Sequence, residues 1–354
     1  MIGEKKKCIG LIFGGYSNEH EVSISSAKTV FQAFNSEINK QRFTVKAFYI
    51  NKFGDWLNSQ LSEKILIGEI EIKTIKQGVF NQEKINFLDG IEFQNVDVWF
   101  PLLHGFNGED GSIHGLLRFT KKPLVGCGIL GSALGMDKIL MKTIFSNFKL
   151  PQVNYLVFQN PNLNNNEVKN NLINEILRKL NFPIFVKPSN SGSSLGISKV
   201  VNKSEILQAL EKAQAIDPRI LVEEGLEVRE IECGIIGKTQ LLTSEIGEVK
   251  YESDWFDYDS KYYSNNKITI PAEIDYKITK EIKEIAIQSC RALNVFGFAR
   301  VDFFLEKYSN KIFLNEINTI PGFTKKSMFP MLWKASGLNI EQLVAKLVDI
   351  SQDL

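Results

Sequence analysis

Residues 297–328, GFARVDFFLEKYSNKIFLNEINTIPGFTKKSM, set carboxylates, an arginine and an amide into two short apolar runs. In the run 296–305, Arg300 and Asp302 alternate with apolar residues, so on an extended strand both side chains leave the same face. Glu316 and Asn318 repeat that spacing at the end of the run 311–318. The pattern predicts a strand pair with oxygen ligands on one side. Mg2+ is usually held by one or two carboxylates together with substrate phosphates, which suits Asp302, Glu316 and Asn318. Facing Asp302 toward Glu316 across a hairpin requires an odd-length loop or a bulge. Arg300 lies in an otherwise apolar segment and therefore needs an anionic partner. The run TIPGFT then breaks the strand, and Gly322 lets backbone amides approach a ligand closely. An internal ion pair of Arg300 with an acid, followed by an ordinary proline turn, accounts for the same residues. On these residues alone the two readings stand level.

A chain of 354 residues is long for a single core, so two or three packed lobes are expected. It is 44% hydrophobic with a formal charge of +1, which gives no reason to propose nucleic acid or an anionic membrane as partner. No apolar run approaches the roughly 18 residues of a membrane span. The start, MIGEKKKCIGLIFGG, places lysines before an apolar run too short for a signal peptide and reads as a first β-strand. Cys8, Cys127, Cys233 and Cys290 lack metal-ligand spacing and read as free thiols in a reducing cytoplasm.

From the N-terminus, a strand at 9–13, the loop GGYSNEHEVS and a helix at about 23–37 give the β-loop-α order of an open parallel α/β sheet, whose ligands sit beyond the carboxyl ends of its strands. Read alone, residues 17–21 cap that helix. Strands follow at 43–50 and 96–103, the second ending in LHGFNGEDGSIHG; Glu109 and Asp110 read as acidic caps of a helix near 112. His104 sits where α/β sites form, whereas His114 is set aside. PLVGCGILGSALGMDKILMKTIF joins a strand to one helix containing Lys138 and marks a lobe boundary near 128–131. A strand at 151–158 and a helix at about 167–180 precede FPIFVKPSNSGSSLGISKVV, in which Lys187 ends an apolar strand and the small-residue loop 189–196 offers backbone N–H groups to phosphates. A helix at 204–215 leads to RILVEEGLEVREIECGIIG, a strand pair with charged exposed positions. Residues 251–267, YESDWFDYDSKYYSNNK, have no regular period, as expected of a closing lid. Helices at about 275–293 and from 340 complete the chain.

RVDFFL, LNEINTIPGFT and SMFP, together with GGYSNEHEVS, GSALGMDK and the Lys187 stretch, resemble the D-alanine:D-alanine ligases of the ATP-grasp superfamily over nearly the whole chain. The resemblance implies an N-terminal open parallel α/β (pre-ATP-grasp) lobe at 1–129, then a two-lobed α+β ATP-grasp fold with a central lobe at 130–224 and a C-terminal lobe at 225–354. It implies ATP as substrate and a pair of Mg2+ ions, or Mn2+, on Asp302, Glu316 and Asn318. Arg300 and the Gly322 amide would stabilise the tetrahedral intermediate. Glu19 would hold the first D-alanine with His104 near its carboxylate, and Ser193 and Tyr262 would join Glu19 in holding the loops shut. Lys138, Lys187, Ser194 and Lys261 would meet ATP phosphates, Glu223 the adenine end and Glu230 the ribose. The matching proteins ligate two D-alanines through a D-alanyl phosphate for peptidoglycan precursors, in the cytoplasm and as homodimers. Relatives using D-serine or D-lactate commonly carry arginine after the serine matching Ser327; Met328 follows here, which implies D-alanine at both positions. A D-serine or D-lactate ligase, another ATP-grasp carboxylate–amine ligase and a non-catalytic nucleotide-binding regulator are the competing readings.

Overall fold

The computed structural model describes residues 5–71, 84–85, 93–250 and 267–352, which build three β-sheets with helices packed on them. In the first, β1 (Lys7–Gly14) is the apolar centre, buried from Ile9 onward. It pairs in parallel with β2 (Phe43–Ile50) and β5 (Val98–Pro101). β3 (Trp56–Leu57) and β4 (Lys84–Ile85) extend the β2 edge antiparallel, so the expected parallel sheet is a mixed one. The helix on this sheet spans His20–Phe34, starting earlier than its polar beginning suggests. Burial of His20 explains the shift: its Nε2 meets the Tyr49 hydroxyl at 3.0 Å and its Nδ1 the Gly15 carbonyl.

The middle sheet, in the order β6-β9-β7-β8, comprises β6 (Tyr155–Gln159), β7 (Ile184–Pro188), β8 (Ser198–Val200) and β9 (Arg219–Glu224), all antiparallel. Ile184, Val186 and Val222 face the helices Asn166–Lys179 and Ile206–Gln214 through Ile176, Leu210 and Ala213. Alternation along β7 turns Phe185 and Lys187 to the opposite face. The expected single helix through 138 is two, Ile129–Met136 and Lys138–Asn147. Asp137 separates them in an extended conformation, and its carboxylate caps the second by accepting from the Ile139 and Leu140 amides.

β10 (Val228–Gly237), β11 (Leu241–Lys250), β12 (Lys267–Thr269), β13 (Gly297–Glu306) and β14 (Ile312–Asn318) form the third sheet, antiparallel in the order β12-β11-β10-β13-β14. Ile231, Cys233, Ala299, Val301 and Phe303 pack on Ile282, Ile285, Ala286 and Cys290 of the helix Tyr276–Ala292. A separate apolar cluster welds this sheet to the first, running from Leu11 and Phe100 through Phe298, Phe323 and Phe329 to Leu343 and Leu347 of the closing helix Ile340–Gln352. Phe323 meets both Phe100 and Phe298 edge-on, at 6.1 and 5.5 Å. Cys8, Cys127, Cys233 and Cys290 are free thiols, and burial pushes each one up.

Candidate active site

The polar faces of the middle and third sheets and the carboxyl ends of β1 and β5 enclose a cavity of about 1390 Å³. Its third-sheet wall comes from strand register. Glu232, Asp302 and Glu316 align on three neighbouring strands. Opposite Asp302 the pairing shifts by one residue, leaving Asn315 as the extra residue of a bulge. Arg300 donates from Nε and Nη2 to both Asp302 oxygens at 2.7 Å, and its Nε lies 2.9 Å from Glu232. Asn318 donates to Asp302 at 2.8 Å. Burial alone would disfavour the Arg300 charge, but Asp302 and Glu232 outweigh it and hold the guanidinium well above its ordinary range. Asp302, Glu316 and Asn318 present oxygen donors without thiol or imidazole, a set that fits a hard cation such as Mg2+.

Lys187 of β7 and Lys138 and Lys142 of the helix Lys138–Asn147 supply the cations. Lys187 pairs with Glu223, and Lys142 reaches the other Glu223 oxygen at 2.5 Å. Burial would raise the Glu223 carboxyl, but the two ammonium groups hold it at about 2. Lys138 donates to the Ser191 carbonyl at 2.7 Å and lies 3.6 Å from Glu316, joining the small-residue loop to the third-sheet wall. In the small-residue loop, Ser193 and Ser194 adopt positive φ (49° and 59°), and Ser193 donates to Glu19 at 2.5 Å. Glu19 is seated so tightly that a Cβ on Gly105 or Gly192 would come within 2.7 or 2.9 Å of its Oε2. Glu230 of β10 also lines the cavity.

His104 donates from Nδ1 to the Ile320 carbonyl at 2.9 Å, which leaves Nε2 to accept from the Ser26 hydroxyl at 3.1 Å; burial lowers its basicity. Ser26 also accepts from the Phe323 amide at 3.0 Å, so the imidazole and this serine pin the 320–323 turn beside Glu19. On that turn Gly322 lies where a Cβ would meet Ser327 Oγ at 2.9 Å, and Ser327 bonds Thr324 Oγ1 at 2.7 Å. Met328 lines the cavity and packs with Val249 and Leu332 against Ile268 and Ile270. Lys261 and Tyr262 lie outside the described residues.

The structure gives Lys142, Glu232 and Glu109 places at the site that the sequence does not announce. Lys142 sits on a helix, where lysine is usually solvated. Glu232 lies among apolar neighbours on β10, although its alternation with Glu230 was a signal. Glu109 does not cap the following helix: it accepts from the Gly105 and Ile320 amides at 2.9 and 3.3 Å, and Asp110 caps Ser112 instead. Burial and the nearby Glu19 push Glu109 up to about 8, against those two amides.

Three sheets around one cavity rich in lysines and carboxylates match a known class of ligases throughout. Residues 8–127 match the family model described as D-ala D-ala ligase N-terminus, and residues 144–349 match D-ala D-ala ligase C-terminus. The chain belongs to the D-ala D-ala ligase family. It is 84% identical to a D-alanine--D-alanine ligase of Prochlorococcus marinus strain MIT 9301 and 46% identical to that of strain NATL2A, covering 100% of each chain in the first comparison, and 98% of this chain and 99% of the relative in the second. Among solved structures it resembles the VanG D-Ala:D-Ser ligase from Enterococcus faecalis (TM-score 0.83, 34% identity, 98% of this chain and 100% of that one). It also resembles the D-alanine-D-alanine ligase from Coxiella burnetii (TM-score 0.80, 30% identity, 98% and 94%).

Proposed function

We propose that the chain joins two D-alanine molecules into D-alanyl-D-alanine at the expense of ATP, releasing ADP and phosphate, in peptidoglycan precursor synthesis. The observation that carries this reading is the approach of Lys138 to Glu316 inside one cavity, an ammonium from the middle lobe 3.6 Å from a carboxylate of the last. The lobes are 1–129, binding the first substrate, 130–224, carrying the phosphate loop, and 225–354, carrying the metal-type face. They constitute an ATP-grasp fold behind a pre-ATP-grasp lobe. The free thiols suit a reducing cytoplasm, where we place the reaction. Among the described residues no helix is long and apolar enough to cross a membrane.

Condensing two amino acids in water is unfavourable, so the first carboxylate must be activated. Glu19, an acceptor wedged beside Gly105 and Gly192, receives the first substrate's ammonium, with His104 fixing the adjacent turn. Lys138, with Lys261 from the 251–267 segment, draws charge off the γ-phosphate as it passes to that carboxylate, and Lys187, paired with Glu223, meets the phosphates from the adenine side. Ser194 and its loop amides hold the phosphates, Glu223 faces the adenine and Glu230 the ribose. Mg2+ or Mn2+ held by Asp302, Glu316 and Asn318 would neutralise phosphate charge. The second amine then attacks the acyl phosphate, the oxyanion meeting Arg300 and the Gly322 amide, and phosphate departs. Ser193, bonded to Glu19, and Tyr262 keep the loops shut against water.

Met328 and its apolar neighbours give the second side chain a wall on which a methyl loses nothing and a hydroxyl goes unpaired, which favours D-alanine over D-serine as acceptor. The test is phosphate release from ATP with D-alanine, D-serine and L-alanine in parallel. Turnover on D-alanine well above the other two is expected; a preference for D-serine, or no turnover on D-alanine, overturns the assignment.

A further inference from the structure

Behind the loop 189–196, outside the cavity, a second polar cluster ties together the elements that bring Lys138 and the loop amides to the nucleotide. Arg219 opens β9. Its Nη1 donates to Asp137 Oδ2 at 2.5 Å, and its Nη2 lies 3.5 Å from Asp217. Asp137 accepts from the Ser189 hydroxyl at 2.7 Å while capping the helix that begins at Lys138. Asp217 accepts from the Asn190 amide at 3.0 Å, so both carboxylates that Arg219 engages hold the first residues of the loop. The backbone completes the frame: Ser189 donates to the Arg219 carbonyl at 2.9 Å, and the Lys138 amide donates to the Ser189 carbonyl at 3.1 Å.

We propose that Arg219 is a positioning residue for the nucleotide phosphates: through Asp137 and Asp217 it fixes the start of the 189–196 loop against the first turn of the Lys138 helix. The inference rests on the reading of Lys138 and this loop as phosphate-binding. Asp137 alone would hold the helix end. Arg219 couples that end to the loop, because one guanidinium spans the two carboxylates that anchor Ser189 and Asn190. With the guanidinium removed, the loop keeps its covalent path and the Ser189 bonds to Asp137 and Lys138, but loses the charged link between the Asp137 and Asp217 carboxylates that braces it beside Lys138 Nζ, which touches the loop at the Ser191 carbonyl. The Arg219 side chain is 31% exposed, but Asp137 and Asp217 are nearly buried at 8% and 7%, so removing the guanidinium also lowers global stability and the test must separate the two effects.

The test is calorimetric titration of ADP with Mg2+ into the full chain, paired with steady-state kinetics. Arg219→Ala is expected to weaken ADP affinity and raise KM for ATP about tenfold, because the phosphate-binding groups are no longer held at their spacing. KM for D-alanine should stay unchanged, while the melting temperature falls because two nearly buried carboxylates lose their counter-charge. Arg219→Lys should recover part of the loss. Asp137→Asn combined with Arg219→Ala should bind no more weakly than the worse single variant, because both act through one linkage. If Arg219→Ala does not fold, Arg219→Gln is read by the same criteria. Unchanged ADP affinity, or an equal rise in both KM values, overturns the proposal. Absence of ADP binding by the unsubstituted chain overturns the phosphate role of the loop, and this inference with it.

Discussion

Glu316 faces Asp302 across β13 and β14 because β14 carries an extra residue, Asn315, at the point where the pairing shifts. A regular ladder continued from the Phe303–Leu314 pair would set Asn315 opposite Asp302 and turn Glu316 toward the apolar side packed on the helix Tyr276–Ala292. The bulge thus converts an apolar alternation into a face with two carboxylates and an amide.

Removing either carboxylate should sharply slow turnover while leaving the fold intact, since both lie on the cavity wall rather than in the apolar layer. Asp302→Asn and Glu316→Gln are each expected to lower kcat by about 10²–10³, the usual scale for one lost electrostatic contact to a developing charge. Phosphate release measured beside circular dichroism checks this; activity within a few-fold of the starting chain would remove both residues from the mechanism.

Glu223 is the shared counter-charge of two buried lysines. Glu223→Gln leaves Lys142, only 2% exposed, beside Lys187 with no anion between them, and should cost about 3–5 kcal/mol in urea unfolding, as breaking a buried ion pair does. A loss below about 1 kcal/mol would mean that water reaches both ammonium groups.

Glu109 makes stability depend on pH. Its folded value is raised from 4.5 to about 8, so the folded state holds the proton more tightly than the unfolded chain. That contribution is complete below about pH 4.5 and is lost as pH rises toward about 8. Glu109→Gln mimics the protonated form, so the variant's melting temperature should fall less than the parent's between about pH 5 and 8. Parallel curves would contradict the raised value.

Met328 should control the acceptor. Met328→Gln supplies a polar partner at the cavity wall and is expected to raise the D-serine to D-alanine ratio of kcat/KM by up to about tenfold. It should also lower the melting temperature, because an amide replaces a thioether packed on Val249 and Leu332. An unchanged ratio would place acceptor selection elsewhere.

Much of this site was legible in the sequence because its residues stand in short runs whose period announces them. Arg300 and Asp302 alternate along one strand, and Lys187 ends an apolar strand before a loop of small residues. What escaped depends on partners far apart in the chain. Lys142 looks like a surface lysine until Glu223, a middle-sheet residue, closes over it. Glu109 resembles a helix cap because Ile320, its distant partner, is invisible locally. The break at Asp137 is hard to see locally because Met136 and the residues from Lys138 onward favour helix, whereas the Ser189 and Arg219 contacts that also hold the capping carboxylate come from distant parts of the chain. The bulge at Asn315 was anticipated as a requirement, but a register is decided by packing on both faces and not by one strand's pattern.

The most direct test of the central claim is identification of the product. Purified chain incubated with ATP, Mg2+ and D-alanine, then analysed by mass spectrometry and chiral chromatography, should yield D-alanyl-D-alanine with ADP and phosphate formed in equal amounts to the dipeptide. ATP consumption without the dipeptide, or no reaction, would contradict the account.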